Sequence, residues 1–225
     1  MDLIPLSERL AKSGAFDNLS PAVQTALFLG ALALVPMLLV TVTAFTRIVI
    51  VLSFIRRAVG TQEIPPNPVI IGLALFLTFF VMGPTLEAID REAVRPYLDN
   101  KIDGNKAFEL GIGHLREFML RQTRRQDLAL FLHLGDIKSV ETPSQTPLRA
   151  LVPAFVVSEL KTAFVMGVCL LLPFLLIDLV VASVLTSMGM VMMPPVIISA
   201  PVKVLLFVVA DGWHLVAYAL SQSFG

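Results

Sequence analysis

The stretch Ser158-Glu159-Leu160-Lys161-Thr162-Ala163-Phe164 decides how this chain is read. It sets a carboxylate and an ammonium inside an apolar run, Leu151 to Met193, whose other charge is Asp178. An ionised side chain at the centre of a bilayer costs roughly 2.5–3.5 kcal/mol on insertion scales. Such charges persist where an opposite charge or a water-lined cavity receives them. The region is therefore expected to face protein or a pore rather than lipid, as in an assembled membrane conduit.

Composition agrees. The chain has 225 residues, is 56% hydrophobic and 15% charged, and has a mean hydropathy of +0.82. Soluble domains carry about 25% charged residues, so the class is membrane-associated. Net charge is zero, which gives no reason to expect nucleic acid or an acidic partner. The lone cysteine, Cys169, cannot form an internal disulfide, and among Val168, Leu170, Leu171 and Leu172 it reads as a buried small hydrophobe. Met1 to Pro21 contains Asp2, Glu8, Arg9, Lys12 and Asp17 and no continuous apolar core, so it does not read as a signal peptide. Either there is none or a precursor segment precedes this numbering.

Working outward, the chain divides into a tail (1–24), a first apolar helical hairpin (25–90), an exposed helical insertion (91–149) and a second apolar hairpin (150–225). The apolar segments are about Thr25–Ile55, Val69–Ile89, Leu151–Leu185 and Val196–Leu220. The first and third exceed the ~20 residues that span a bilayer. Pro36, Pro84, Pro153, Pro173 and Pro201 fall in or beside these runs, which favours kinked helices packed on other protein. Gly60 to Pro68 reads as a turn, with Asn67 as N-cap and Pro68 as first helical residue of the second segment. Asp90–Arg149 holds ten of the seventeen Lys and Arg residues. Phe108, Ile112, Leu115, Phe118 and Met119 recur there at helical spacing, opposite Glu109, Arg116, Glu117 and Arg121. Glu117 and Arg121 form an i,i+4 pair, and a second short amphipathic run passes through Leu128, Phe131 and Leu132. The insertion's charges read as a solvated face. The distribution of basic residues in the short loops decides little, and leans towards an insertion outside the cytoplasm.

Two constellations carry chemistry. Arg47, Glu159, Lys161, Asp178, Lys203 and Asp211 read as the buried charges of the apolar segments. Their signs nearly balance, as expected if they pair between helices or between copies, with Glu159 to Lys203 across neighbouring subunits as the expected match. The bland alternative, snorkelling to an interface, suits Arg47 and Lys203. The second constellation is the loop 187–195, Ser-Met-Gly-Met-Val-Met-Met-Pro-Pro, where Gly189 and Pro194-Pro195 break the helix. Met188, Met190, Met192 and Met193 are flexible apolar side chains. Repeated round a symmetric ring they would form a deformable seal; singly they would be core filler. Catalysis finds no support. There is no phosphate-binding glycine loop, and His114, His133 and His214 are scattered, without metal-ligand spacing. Asp178 and Asp211 lie in no glycine-flanked aspartyl motif, and no cofactor is expected.

Blocks along nearly the whole chain from Leu34 resemble the FliP family of flagellar export components and its injectisome counterparts. They are Ala44-Phe-Thr-Arg-Ile-Val-Ile-Val51, Pro65-Pro-Asn67, Gly72-Leu-Ala-Leu-Phe-Leu-Thr-Phe-Phe80 and Leu115-Arg-Glu-Phe-Met-Leu-Arg-Gln-Thr123. Ser158–Phe164, Ile177-Asp-Leu-Val180, Pro194-Pro195 and Asp211-Gly-Trp213 complete the series. The Leu115–Thr123 block is similar to the flagellar branch. The resemblance implies an all-α fold of kinked, membrane-embedded hairpins with an amphipathic insertion, assembling into a helical ring. It implies a core export gate of the bacterial inner membrane, in the flagellar basal body, built from about five copies with FliQ and FliR homologues. FlhA and FlhB would be further gate partners. Unfolded flagellar subunits would pass through the centre, driven by the proton-motive force and a separate ATPase. It also implies an assembly raised towards the periplasm, with bent hairpins in place of simple crossings. Relatives usually begin with a cleavable signal peptide, and tend to read Met-Met-Met at the positions of Met190, Val191 and Met192, where Val191 breaks the run. A rival reading is a proton-coupled secondary transporter with Glu159, Lys161 and Asp178 as a relay, though no internal repeat supports it. A third is a purely structural assembly factor.

Overall fold

The computed structural model describes residues 20–60, 64–137, 145–190 and 192–225. The chain divides into two compact units, Met1–Val40 and Thr41–Gly225. What is described of the first is the helix α1, Pro21–Thr41, which ends just inside the second unit. It runs through Pro36 and exposes Phe28 and Met37. The first apolar segment is therefore not one helix. At Val42–Ala44 it breaks, and the Thr43 hydroxyl accepts a hydrogen bond from the Phe45 N–H (3.4 Å), a local bond that competes with helix continuation.

In the second unit, α2 (Phe45–Ala58) buries Arg47, Ile48, Val51, Leu52, Ile55 and Ala58, the spacing of one helical face. That face packs most extensively on α7, the long helix Leu148–Ser187. The two run the same way, since Arg47 meets Glu159 and Phe54 meets Phe164. Their approach depends on Gly167: a Cβ there would stand 2.5 Å from the Phe54 ring.

The second segment is longer than expected. Helix α3 (Asn67–Ile89) continues through a π-helical turn, Asp90–Val94, into α4 (Arg95–Leu98). The Arg95 N–H reaches back to the Asp90 carbonyl, and Pro96 behind it has no N–H to give. The cap also differs: Pro66 holds the cap position and Asn67 is already helical. The Asn67 Oδ1 accepts instead from Arg56 Nη1 (2.6 Å), so its side chain ties the hairpin to α2.

The insertion forms α5 (Gly104–Gln122), capped by Asp103 through the Gly104 N–H (2.7 Å), and α6 (Arg125–Leu134). Glu117 and Arg121 do pair, at 3.8 Å. Only the C-terminal half of the expected apolar face docks. Phe118 and Met119 are buried, Phe118 with its ring against Phe155, whereas Phe108 is exposed. The insertion is thus seated on α7.

The last segment bends. Helix α8 (Pro195–Val209) turns by 65° into α9 (Gly212–Gln222). The corner is at Asp211, in the left-handed region at φ +49°, and not at Pro201, which lies inside α8. Gly212 makes the corner possible, because a Cβ there would stand 2.2 Å from the Phe207 ring. Pro153 and Pro173 likewise lie within the unbroken α7. Cys169, expected to be buried, is exposed. It stands two residues past the buried Gly167, about 200° round the helix and so on the outer face. Helices Asn67–Leu98 and Leu148–Ser187 are long and apolar enough to cross a membrane, and the bent pair adds a third if counted as one.

Candidate functional site: a buried charge network and a methionine loop

Arg47 is the hub of the first network. Its Nε donates to Glu159 Oε2 (2.9 Å), and its Nη2 donates to Glu159 Oε1. Nη2 also donates to Gln122 Oε1 (3.0 Å), and Nη1 to the Ser223 carbonyl (2.7 Å) and hydroxyl (3.0 Å). All five guanidinium N–H groups thus have acceptors, and the Phe224 ring lies 3.8 Å from the guanidinium carbon. Gln122 in turn donates to the Phe224 carbonyl (3.0 Å). Arg47 is 2% exposed and Glu159 0%, so neither snorkels. A bidentate, fully hydrogen-bonded geometry is what allows such a pair to exist away from water.

The residue before Glu159 docks the insertion. Arg124 occupies the cap position of α6 but offers no capping side chain. Ser158 of α7 accepts from the Arg124 N–H (2.9 Å) and donates to Asp127 Oδ2 (2.6 Å). Ser158 thereby bridges the N–H at the cap position of α6 and the carboxylate of that helix's third residue. Thr162, one turn on, accepts from Arg124 Nη2 (3.2 Å).

The second network joins α7 to α8. Lys203 Nζ donates to Asp178 Oδ2 (2.6 Å) and the Ser199 hydroxyl to Asp178 Oδ1 (2.6 Å). With Phe174 facing Phe207, this shows the two helices running antiparallel. Within the single chain Glu159 meets Arg47 and Lys203 meets Asp178; the Glu159–Lys203 match expected between neighbouring subunits stays a proposal. Glu159 lies nineteen residues from Asp178 on one helix, about 28 Å at 1.5 Å per residue. Lys161 and Asp211 are exposed, and neither has an ion-pair partner among the described residues.

The methionines do sit on a loop. Helix α7 ends in a Schellman motif, with Gly189 at φ +78°. The Gly189 N–H donates to the Thr186 carbonyl (3.0 Å) and the Met190 N–H to the Leu185 carbonyl (3.0 Å). Met188 and Met192 project from the apex, 68% and 98% exposed, with Met190 and Met193 less open. Val191 lies outside the described residues. Ser158, Gln122, Ser199, Ser223 and Phe224 are site residues that pattern reading missed. The available signal was the position of Ser158 and Thr162 one before and three after Glu159, which brings them to the same helix face.

These features define a class: a membrane protein that is helical throughout its described elements, its surface rich in exposed apolar side chains, with two ion pairs held between its apolar helices and an apolar methionine loop at a hairpin apex. The FliP family model matches residues 28–220. "Flagellar biosynthetic protein FliP" of Bacillus subtilis (strain 168) is 51% identical over 208 residues, covering 92% of this chain and 94% of the relative. The FliP of Pectobacterium carotovorum is 53% identical over 203 residues, covering 90% and 79%. That of Aquifex aeolicus is 48% identical over 209, covering 92% and 87%. The chain belongs to the FliP family of flagellar biosynthetic proteins.

Proposed function

We propose that the protein is a core subunit of the flagellar export gate in the bacterial inner membrane. About five copies assemble with FliQ and FliR homologues, alongside FlhA and FlhB, into a channel for unfolded flagellar subunits. The insertion lies on the periplasmic side, and Met188, Met190, Met192 and Met193 form the gasket. The observation that carries this reading is the hairpin apex, where four methionines on a helix-breaking loop project away from the chain's own core. Apolar side chains left bare in one copy are suited to closing against those of other copies, and their flexibility suits a closure that must deform.

The length of α7 supports a bent, raised placement. Its 40 residues make about 60 Å of helix, against about 30 Å of hydrocarbon. Fitting all of it in the bilayer would need a tilt of roughly 60°, beyond the 0–40° of known spans. The relay reading loses support from the same helix. Glu159 and Asp178 are each held by their own cation, about 28 Å apart. The test is leakage. Alanine at the four methionines, in a chain that still assembles with its neighbours, should raise ion or small-molecule leakage through the membrane. Unchanged leakage with intact assembly would remove the gasket from the reading.

A further inference from the structure

Where α2 turns into α3, a half-open cleft of about 140 Å³ is lined by Leu52 of α2, by Pro65, Val69, Ile70 and Leu73 of the turn and α3, and by Trp213 of α9. Its walls are apolar and its lip is cationic, because Arg56 and Arg57 end α2 there. We propose that the cleft holds an acyl chain of an anionic phospholipid, and that Arg56 and Arg57 take its phosphate. The site goes beyond the export reading and does not depend on the gasket.

Arg56 stands one turn beyond Leu52, on the same helix face. Its Nη1 donates to Asn67 Oδ1 (2.6 Å) and to the Pro65 carbonyl (3.4 Å). These bonds pin the guanidinium at the edge of the cleft and leave its Nε and Nη2 without acceptors among the described residues. Arg57 is exposed and in no ion pair among the described residues. Open guanidinium donors are matched to phosphate oxygens. Trp213, the chain's single tryptophan, is 45% exposed and meets Phe207 edge-on, ring centres 5.3 Å apart. Its indole N–H makes no hydrogen bond among the described residues. An apolar ring with a free N–H is the side chain favoured at headgroup level. The described carboxylate nearest in sequence to Trp213 is Asp211, which pairs with neither arginine; Glu63 lies outside the described residues.

Helix α3 favours a lipid over a protein as the occupant. Val69, Leu73, Phe76 and Phe80 follow at intervals of four, three and four residues, one face leading out of the cleft, with Phe76 and Phe80 widely exposed. From Val69 to Phe80 the helix rises about 16 Å, the depth of one leaflet in a hydrocarbon core about 30 Å thick. The next charge along α3 is Glu87, exposed and in no ion pair among the described residues. It stands about 30 Å from Asn67 along the axis. Polar groups thus mark α3 at the spacing of two headgroup levels, with the arginines at one and the carboxylate at the other. A protein neighbour would impose no such spacing.

The single tryptophan is the reporter. The full chain in mild detergent is titrated with phosphatidylglycerol or phosphatidylcholine brominated midway along the acyl chains, and quenching of Trp213 is followed. Quenching should saturate, with an apparent affinity for phosphatidylglycerol about tenfold or more above that for phosphatidylcholine. Arg57→Gln should remove about fivefold of that preference. Val69→Phe, which narrows the cleft, should lower the saturating quenching by both lipids at least about twofold. Equal affinities for the two lipids, or a preference unmoved in a folded Arg57→Gln variant, would overturn the phosphate contact. Quenching that never saturates and ignores Val69→Phe would overturn the cleft as the seat of the chain. Native mass spectrometry of the complex with the FliQ and FliR homologues supplies the last arm. Phosphatidylglycerol retained by wild type and lost in Arg57→Gln supports the site, whereas a complex that carries none would show the cleft covered by protein and refute it.

Discussion

Replacing Glu159 by Gln removes the charge opposite Arg47 while keeping nearly the same shape. The guanidinium then sits 2% exposed with neutral acceptors alone: the Ser223 carbonyl and hydroxyl, Gln122 and the new amide oxygen. One of its N–H groups loses its acceptor to an amide NH2 that can only donate. Breaking a buried pair by removing one partner costs about 3–5 kcal/mol, because the survivor is left uncompensated. For a chain of this size each kcal/mol lowers Tm by roughly 2–4 °C, so the fall should be about 6–20 °C. Replacing both residues by apolar ones, Arg47→Met with Glu159→Leu, should cost less than either single change. The desolvation penalty then disappears along with the attraction. The assay is thermal unfolding of the solubilised full chain, followed by loss of the monodisperse peak after heating, with all four members of the cycle run together. A single variant as stable as wild type, or a double variant no better than the worse single, would refute the claim that the pair holds the fold together. The seat of the C-terminus supplies a second reading of the same experiment. Arg47 binds Ser223 and stacks on Phe224, so the single variants should expose the last residues to carboxypeptidase.

Two further outcomes follow from the packing. Gly167→Ala places a methyl 2.5 Å from the Phe54 ring, and overpacking of this kind costs about 1–3 kcal/mol. Adding Phe54→Leu should return most of the lost Tm, and a silent Gly167→Ala would show that α2 and α7 are not in close contact. Ser158→Ala removes the hydroxyl that bridges the Arg124 N–H and Asp127, bonds worth about 0.5–1.5 kcal/mol for a neutral pair and about 1.5–3 kcal/mol to a charged group. Hydrogen exchange should accelerate at the Arg124–Asp127 amides before it does in α7, and uniform exchange across both helices would count against the cross-helix bridge.

Much of the architecture was legible because hydrophobic runs and breakers report directly on helix number and ends. The insertion helices and the break at Gly189 follow from period and composition, whereas Thr25–Ile55 reads as one apolar run and conceals the start of α2 at Phe45. What escaped has two physical sources. Breaks set by tertiary contact leave faint local marks. The corner at Asp211 exists because Gly212 admits the Phe207 ring, while the more conspicuous Pro153, Pro173 and Pro201 stay inside helices. Pairing is the second. Six charges of balanced sign foretell neutralisation but not who meets whom. Which residues meet depends on helix direction and register, and those place Arg47 beside Glu159 and Lys203 beside Asp178. Cys169 went wrong for a related reason. Apolar neighbours in sequence show that a helix is apolar, not which of its faces is covered, and on a helix that is apolar all round the period carries no direction.

The seven residues Ser158 to Phe164 then have distinct tasks within one and a half turns or so of helix. Ser158 and Thr162 receive the insertion, Glu159 holds Arg47 and through it the C-terminus, Ala163 is fully buried, and Phe164 meets Phe54. Three parts of the second unit converge on this short span, the insertion, α2 and, through Arg47, the C-terminus, and each contact is a polar or steric match that a shift of one residue would destroy. A segment so committed is poorly placed to slide. Movement is better accommodated where the chain has left itself unpartnered, at the methionine apex and along the outer face of α7. The charges of Ser158–Phe164 divide the same way: Glu159 is committed to the fold, and Lys161, two residues on, is turned outward and exposed.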